Sequence, residues 1–207
     1  MQRKTGHSMA ILLTGIPCTG KTSLARAWCK KSGWAFLSLN ELVEKKKLYS
    51  GIDKEDGSKI VKLKALEKEA NKRIKALAAS ASKASAASIP AASSSILVEG
   101  HLGCEIRLKV GRVLVLRLRP DELGARLKKR HYSRAKISEN RLAEMLDYCT
   151  VRSIQNYGEK NVYELDGSGK SLKQNLEAFG RFAGSLRPAA SFLPRADWSA
   201  QLFREAG

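Results

Sequence analysis

The sequence predicts a three-layer α/β sandwich built on about five parallel strands, with helices covering both faces of the sheet. Three observations lead there: short apolar runs that do not alternate, stretches of helical spacing between them, and the regular succession of the two along the chain.

The apolar runs are Ala10 to Thr14, Trp34 to Leu39, Ile96 to Glu99, Val113 to Leu118 and Val162 to Leu165. A strand with one wet face alternates apolar and polar residues. Continuous runs suit strands buried on both faces, which belong to parallel sheets covered by helices. Between them, apolar residues recur at helical spacing: Leu24 and Trp28; Leu63, Leu66, Ala70, Ile74 and Leu77; Leu123 and Leu127; Leu142, Met145, Leu146 and Cys149; Leu172, Leu176 and Phe179. Pro120 followed by Asp121 and Glu122 opens a helix, because proline suits the first turn and carboxylates complement the positive end of the helix dipole. Lys128, Lys129 and Arg130 suit its last turn for the opposite reason.

At 207 residues the chain suffices for one ordinary domain and a short appendage. The domain is expected over 1–184 and a tail over 185–207, where Pro188 and Pro194 precede an amphipathic stretch with Trp198, Leu202 and Phe203. That stretch either docks on the domain as a short helix or binds a partner. From Ala78 to Ser95 the chain is almost all Ala and Ser, which makes no packed core and reads as a helix tail plus a flexible connection.

Thirty-eight Lys and Arg against 20 Asp and Glu give a net charge of +18, which favours polyanions such as RNA or nucleotide phosphates; a solvated basic surface is the plainer reading. Cys18, Cys29, Cys104 and Cys149 lie far apart in sequence with no CxxC pair, which argues against a zinc site or a disulfide framework and for reduced thiols in a cytoplasmic protein. The apolar run Met9 to Leu13 is too short for a signal peptide, and no stretch approaches the ~20 apolar residues of a membrane span, so a soluble protein is expected.

The segment AILLTGIPCTGKTSLARAW carries GxxxxGK[ST] at Gly15, Gly20, Lys21 and Thr22, between a buried strand and an amphipathic helix, where a Walker A phosphate loop must lie. Gly15 lets the chain turn off the strand and Gly20 lets the backbone approach phosphates, while successive amides and the helix N-terminus form a nest for oxyanions. Lys21 brings a mobile cation to the β and γ phosphates of ATP, the Thr22 hydroxyl is placed to coordinate magnesium, and Cys18 and Ser23 complete the nucleotide-contacting stretch. Cys18 is either a small residue that fits the loop or a thiol made sensitive to oxidation by the helix N-terminus. A P-loop enzyme also needs a carboxylate at the end of a neighbouring strand to hold the metal shell, and Glu99, closing the run SSILVEGH, is the candidate. On the residues alone His101 is a general base, a water-positioning group or a hydrogen-bonded turn residue.

Together the blocks TGIPCTGKTSLA, LNELVEKKKLYSGID, ILVEGHLG, VLVLRLRPDELGARLKKRHYSRAKISENRLAEMLD and NVYELD resemble the adenylate kinase isoenzyme six family, in its archaeal branch, and cover most of residues 10 to 166 in the family's order. The resemblance implies a P-loop nucleoside monophosphate kinase domain with ATP-dependent phosphorylation of monophosphates, chiefly AMP, and an accompanying ATPase activity. It also implies a link to small-subunit ribosome maturation, with binding to the ribosomal protein uS11 and possible contact with ribosomal RNA. Under the resemblance Glu99-Gly100-His101 is an unusual Walker B element whose histidine matters for hydrolysis. Residues 38–61 are then the monophosphate-binding part and 130–140 a short lid, with Arg130 as the lid arginine that reaches the ATP phosphates. Arg126, Arg130 and Arg134 crowd that segment.

Several positions depart from the family. Arg130-His131-Tyr132 replaces Arg-Gly-Tyr at the lid, and Cys18 replaces a P-loop glycine, which requires ordinary backbone angles there. Lys62 stands where an aspartate is usual, and no arginine occurs between Asn40 and Lys72, so an arginine that clamps the acceptor phosphate must come from elsewhere.

Overall fold

In chain order the elements are β1 (Ala10–Thr14), α1 (Lys21–Ser32), β2 (Ala35–Ser38), α2 (Leu39–Lys46), β3 (Tyr49–Ile52), β4 (Lys59–Val61), α3 (Leu63–Ser85), β5 (Ile96–Glu99), β6 (Arg112–Arg117), α4 (Pro120–Lys129), α5 (Arg134–Met145), α6 (Tyr148–Tyr157), β7 (Val162–Asp166) and α7 (Leu172–Gly184). This computed structural model describes residues 10–54, 57–85, 95–185, 188–193, 196–198 and 200–201.

The five expected runs form one parallel sheet in the order β2-β5-β1-β6-β7. Consecutive residues of each central strand enter different cores. Leu12, Val98 and Val115 pack under α2, α3, α4 and α6 together with Leu39, Leu66, Leu123 and Cys149. Ile11, Leu13, Leu97 and Leu114 pack under α1 and α7 with Leu24, Phe179 and Phe182. Both faces of the sheet are therefore dry, which is why its strands read as unbroken apolar runs. No helix among the described residues is long and apolar enough to cross a membrane.

The expected helix from Leu142 to Cys149 is two helices. Asp147 takes a left-handed backbone (φ 54°) between α5 and α6, and its carboxylate accepts from the Arg117 guanidinium at 2.5 Å, an ion pair that holds the break. A second difference is the antiparallel hairpin of β3 and β4, which stands apart from the main sheet. The Ala/Ser stretch does begin as the tail of α3, up to Ser85; residues 86–94 lie outside the described residues, as do Leu202 and Phe203. Of the tail, Phe192 is buried against Phe182 (ring centroids 5.5 Å apart), and the Ala196 amide donates to Glu164.

Candidate functional site

The strands carry their ends to one edge of the sheet. Parallel registry sets Leu13 of β1 opposite Glu99 of β5, so the loop leaving β1 emerges beside the carboxylate that closes β5. Gly15 turns that loop at φ 135°, where a Cβ would lie 2.4 Å from the Leu116 carbonyl oxygen, so only glycine fits. The Thr14 hydroxyl donates to the carbonyls of Gly100 and His101 at 3.0 and 3.3 Å and ties the two candidate elements together.

Lys21 is buried, and its ammonium donates to the Ile16 carbonyl at 2.8 Å, across the arch of the loop. The Thr22 hydroxyl donates to Glu99 Oε1 at 3.1 Å. Glu99 is buried, and its other oxygen, Oε2, has no hydrogen-bond partner among the described residues. Burial pushes the Glu99 carboxyl above its ordinary range against the opposing pull of Lys21 and Thr22, and burial pushes Lys21 down. A threonine hydroxyl beside a carboxylate with a spare buried oxygen is a hard-oxygen donor set suited to magnesium. Ser23 is exposed in the first turn of α1.

His101 opens a 3-10 turn over His101–Glu105 that packs tightly on β1: a Cβ on Gly103 would meet Leu12 at 2.6 Å. Burial and the Lys21 charge lower the His101 imidazole to about 4, so it is neutral at neutral pH.

The arginine segment meets the loop unevenly. Arg126 of α4 donates to the Thr19 carbonyl at 3.2 Å and pairs with Glu122, whose other oxygen accepts from the Gly169 amide. Arg130 and Arg134 are exposed, Arg130 at the C-terminus of α4 and Arg134 at the start of α5. Tyr132, in the segment expected to form the lid, lies beside Cys18 of the loop. Cys18 has φ 68° and His131 has φ 60°. The ordinary angles expected of Cys18 are absent, and both residues that replace family glycines sit in the left-handed region where glycine is at ease and other residues carry strain.

Three features escaped sequence reasoning. Arg26 of α1 pairs with Glu41 of α2 at 2.5 Å, lies over the Phe36 ring, and its charge acts on Glu99. Buried Arg117 binds Glu144, Glu164 and Asp147; the hint was a charged residue inside the apolar run Val113 to Leu118. Cys104 and Cys149 come together. A cavity of about 670 Å³ lined by Trp28, Lys31, Leu176 and Gly180 lies near the C-terminal end of α1, away from the loop at its N-terminus, and none of the predicted site residues lines it.

The family model described as "AAA domain" matches residues 11–147, from β1 through the lid segment to the break between α5 and α6. The protein of Methanosarcina mazei named "Putative adenylate kinase" is 32% identical over 81% of this chain and 83% of its own length. A protein of the same name from Archaeoglobus fulgidus is 35% identical over 82% of this chain and 79% of its own. The chain belongs to this adenylate kinase family. Its P-loop, Glu99 turn and arginine segment all fall inside the matched span. Among solved structures, shikimate kinase from Bacteroides thetaiotaomicron aligns over 86% of this chain and 99% of its own, at 14% identity and a TM-score of 0.48.

Proposed function

We propose that the chain transfers the γ-phosphoryl of ATP to nucleoside monophosphates, AMP preferred, with an accompanying ATPase activity. The observation that carries the reading is the meeting of a Walker A loop with a buried strand-end carboxylate, Thr22 Oγ1 to Glu99 Oε1 at 3.1 Å, beside Arg126 of α4, which reaches the Thr19 carbonyl of the loop. Phosphoryl transfer asks little covalent chemistry of the protein; positioning and charge do the work.

Lys21 exchanges its loop carbonyl for the β and γ phosphates, and Arg130, on an exposed helix end, swings in with the lid to offset the charge of the transferring group. Thr22 and Glu99 would hold magnesium, which when bound would neutralise phosphate charge. An oxygen of the acceptor's own phosphate attacks in line, so no covalent enzyme intermediate is needed. Arg26, outside the arginine-free stretch from Asn40 to Lys72 but paired to α2 through Glu41, brings a cation to the acceptor side, where residues 38–61 form the monophosphate-binding part. Neutral His101 is able to accept a hydrogen bond from water, which supports the hydrolytic side activity.

The charge of +18 favours a second role in small-subunit ribosome maturation, with ribosomal protein uS11 and ribosomal RNA as partners in the cytoplasm. A coupled assay with ATP, magnesium and a panel of monophosphates tests the kinase reading: turnover should depend on the monophosphate and be fastest with AMP, and ADP formation that ignores every acceptor would remove it. Capture of purified uS11, with and without ATP, tests the second role, which fails if neither state binds.

A further inference from the structure

Cys104 and Cys149, 45 residues apart in sequence, bring their Sγ atoms within 3.7 Å. Both side chains are buried, Cys104 at 1% and Cys149 at 5% exposure. Their closeness is held by α6, which grips the turn after His101 through polar contacts on either side of the sulfurs. Asn156 donates to the Cys104 carbonyl at 2.7 Å, the Tyr157 hydroxyl lies 2.8 and 2.6 Å from the carbonyl oxygens of Gly103 and Ile106, and Arg152 pairs with Glu105 at 2.9 Å. A disulfide has a sulfur separation of about 2.05 Å, so closing this gap takes a movement of less than about 2 Å by side chains already in contact.

We propose that Cys104 and Cys149 form a two-electron oxidation site that closes to an intrachain disulfide under a hydroperoxide and thereby slows phosphoryl transfer. Cys149, the less buried of the two residues, attacks the distal oxygen of the hydroperoxide and gives its thiol proton to the leaving oxygen; the O–O bond breaks, releasing water or an alcohol and leaving a sulfenic acid. Cys104 sulfur then attacks the Cys149 sulfur, the S–O bond breaks, the hydroxyl leaves as water with the thiol proton, and the S–S bond forms. The two thiols lose two electrons and the hydroperoxide gains them.

The link to the active site is short. Cys104 belongs to the turn that begins at His101, its thiol donates to the His101 carbonyl at 3.2 Å, and Thr14 anchors the carbonyls of Gly100 and His101. Because Gly103 already sits hard against Leu12, the turn has no slack, and drawing Cys104 toward α6 displaces His101 and Glu99. This consequence rests on the reading of Glu99 and His101 as site groups; the disulfide itself does not. The remaining thiols are placed elsewhere, Cys18 in the P-loop against Tyr132 and Cys29 on α1 against the other core.

The full chain is treated with hydrogen peroxide, free thiols are alkylated after denaturation, and unreduced peptides are read by mass spectrometry, with ATP turnover followed in parallel. Expected are a linked peptide pair carrying Cys104 and Cys149, a fall in turnover of about tenfold or more in keeping with the cost of an ångström-scale misplacement, and recovery with dithiothreitol. C149S keeps the basal rate and resists peroxide, and C104S serves as the second variant if C149S folds poorly. The site is overturned if both thiols alkylate fully after peroxide, if the cross-link involves Cys18 or Cys29, or if C149S loses activity to peroxide as the parent does. A Cys104–Cys149 cross-link with unchanged turnover overturns the coupling to the active site. A chain with no kinase activity fails the functional reading alone, since the linked peptides are read without it.

Discussion

At His101 the imidazole stays neutral because the turn buries it and Lys21 repels a second positive charge. Its folded value near 4 lies below the ordinary 6.5 of the unfolded chain. The fold therefore loses nothing to this group above about pH 6.5, loses stability as pH falls from there towards 4 while only the unfolded chain takes the proton, and loses no more below. An NMR titration of the three histidines checks this: His101 should have its midpoint near 4, and a midpoint near 6.5 would mean the imidazole is wet. Arg26 makes a second prediction at this scale. Arg26→Ala should raise KM for the monophosphate by about tenfold, the loss of roughly one charge-assisted hydrogen bond, with KM for ATP nearly unchanged; an equal rise in both would place Arg26 outside the acceptor side. The residue types of the phosphate loop were legible in sequence because each has a separate physical duty there. The backbone of Cys18 and His131 was not, since nothing in a residue name announces a positive φ outside glycine.

Elements were legible where burial is two-sided or a helix end carries its own chemistry. β1 and β5 read as strands because neither face is wet, and α4 read as a helix from Pro120 because its first-turn carboxylates and last-turn cations match the dipole. The hairpin of β3 and β4 escaped because Ile52 and Ile60 are exposed and neither strand builds a core pattern. The break between α5 and α6 escaped because its cause is remote. Arg117, at the end of β6, gathers Glu144 from α5, Asp147 from the break and Glu164 from β7, and the Thr150 hydroxyl also meets Glu164. Burial pushes the Glu144 carboxyl above its ordinary range, against the opposing pull of the Arg117 guanidinium. Arg117→Met leaves two buried carboxylates without their cation and should cost about 3 to 5 kcal/mol in urea unfolding. A loss below about 1 kcal/mol would show that the carboxylates take up protons cheaply instead.

Across the whole molecule, the order β2-β5-β1-β6-β7 puts β1 at the centre, so the phosphate loop leaves from the best-supported strand and has the Glu99 end of β5 on one side and the arginine-bearing end of β6 on the other. The opposite edge of the sheet is closed differently. Arg112, at the start of β6, donates to the carbonyls of Phe182, Ala183 and Ser185 at the end of α7, where a cation suits the helix dipole, and lies over the Phe182 ring. Phe192 seals the same corner, so this residue of the tail belongs to the core of the fold. Phe192→Ala should cost about 3 kcal/mol or more, measurable as a shift in the urea midpoint at unchanged slope; an unshifted midpoint would mean that the tail only rests on the surface. Sequence left open whether the amphipathic stretch with Trp198, Leu202 and Phe203 docks or binds a partner, and Leu202 and Phe203 lie outside the described residues.

The donor half of the site is built from residues that touch one another, while the acceptor half rests on Arg26, on residues 38–61 and on family membership. Phosphorus NMR of a reaction containing the protein, ATP, AMP and magnesium tests the transfer between the two halves most directly. If phosphoryl passes to the acceptor, ATP and AMP decline together and ADP grows from both, with inorganic phosphate a minor product. Inorganic phosphate rising in step with ADP while the AMP signal stays constant would contradict it.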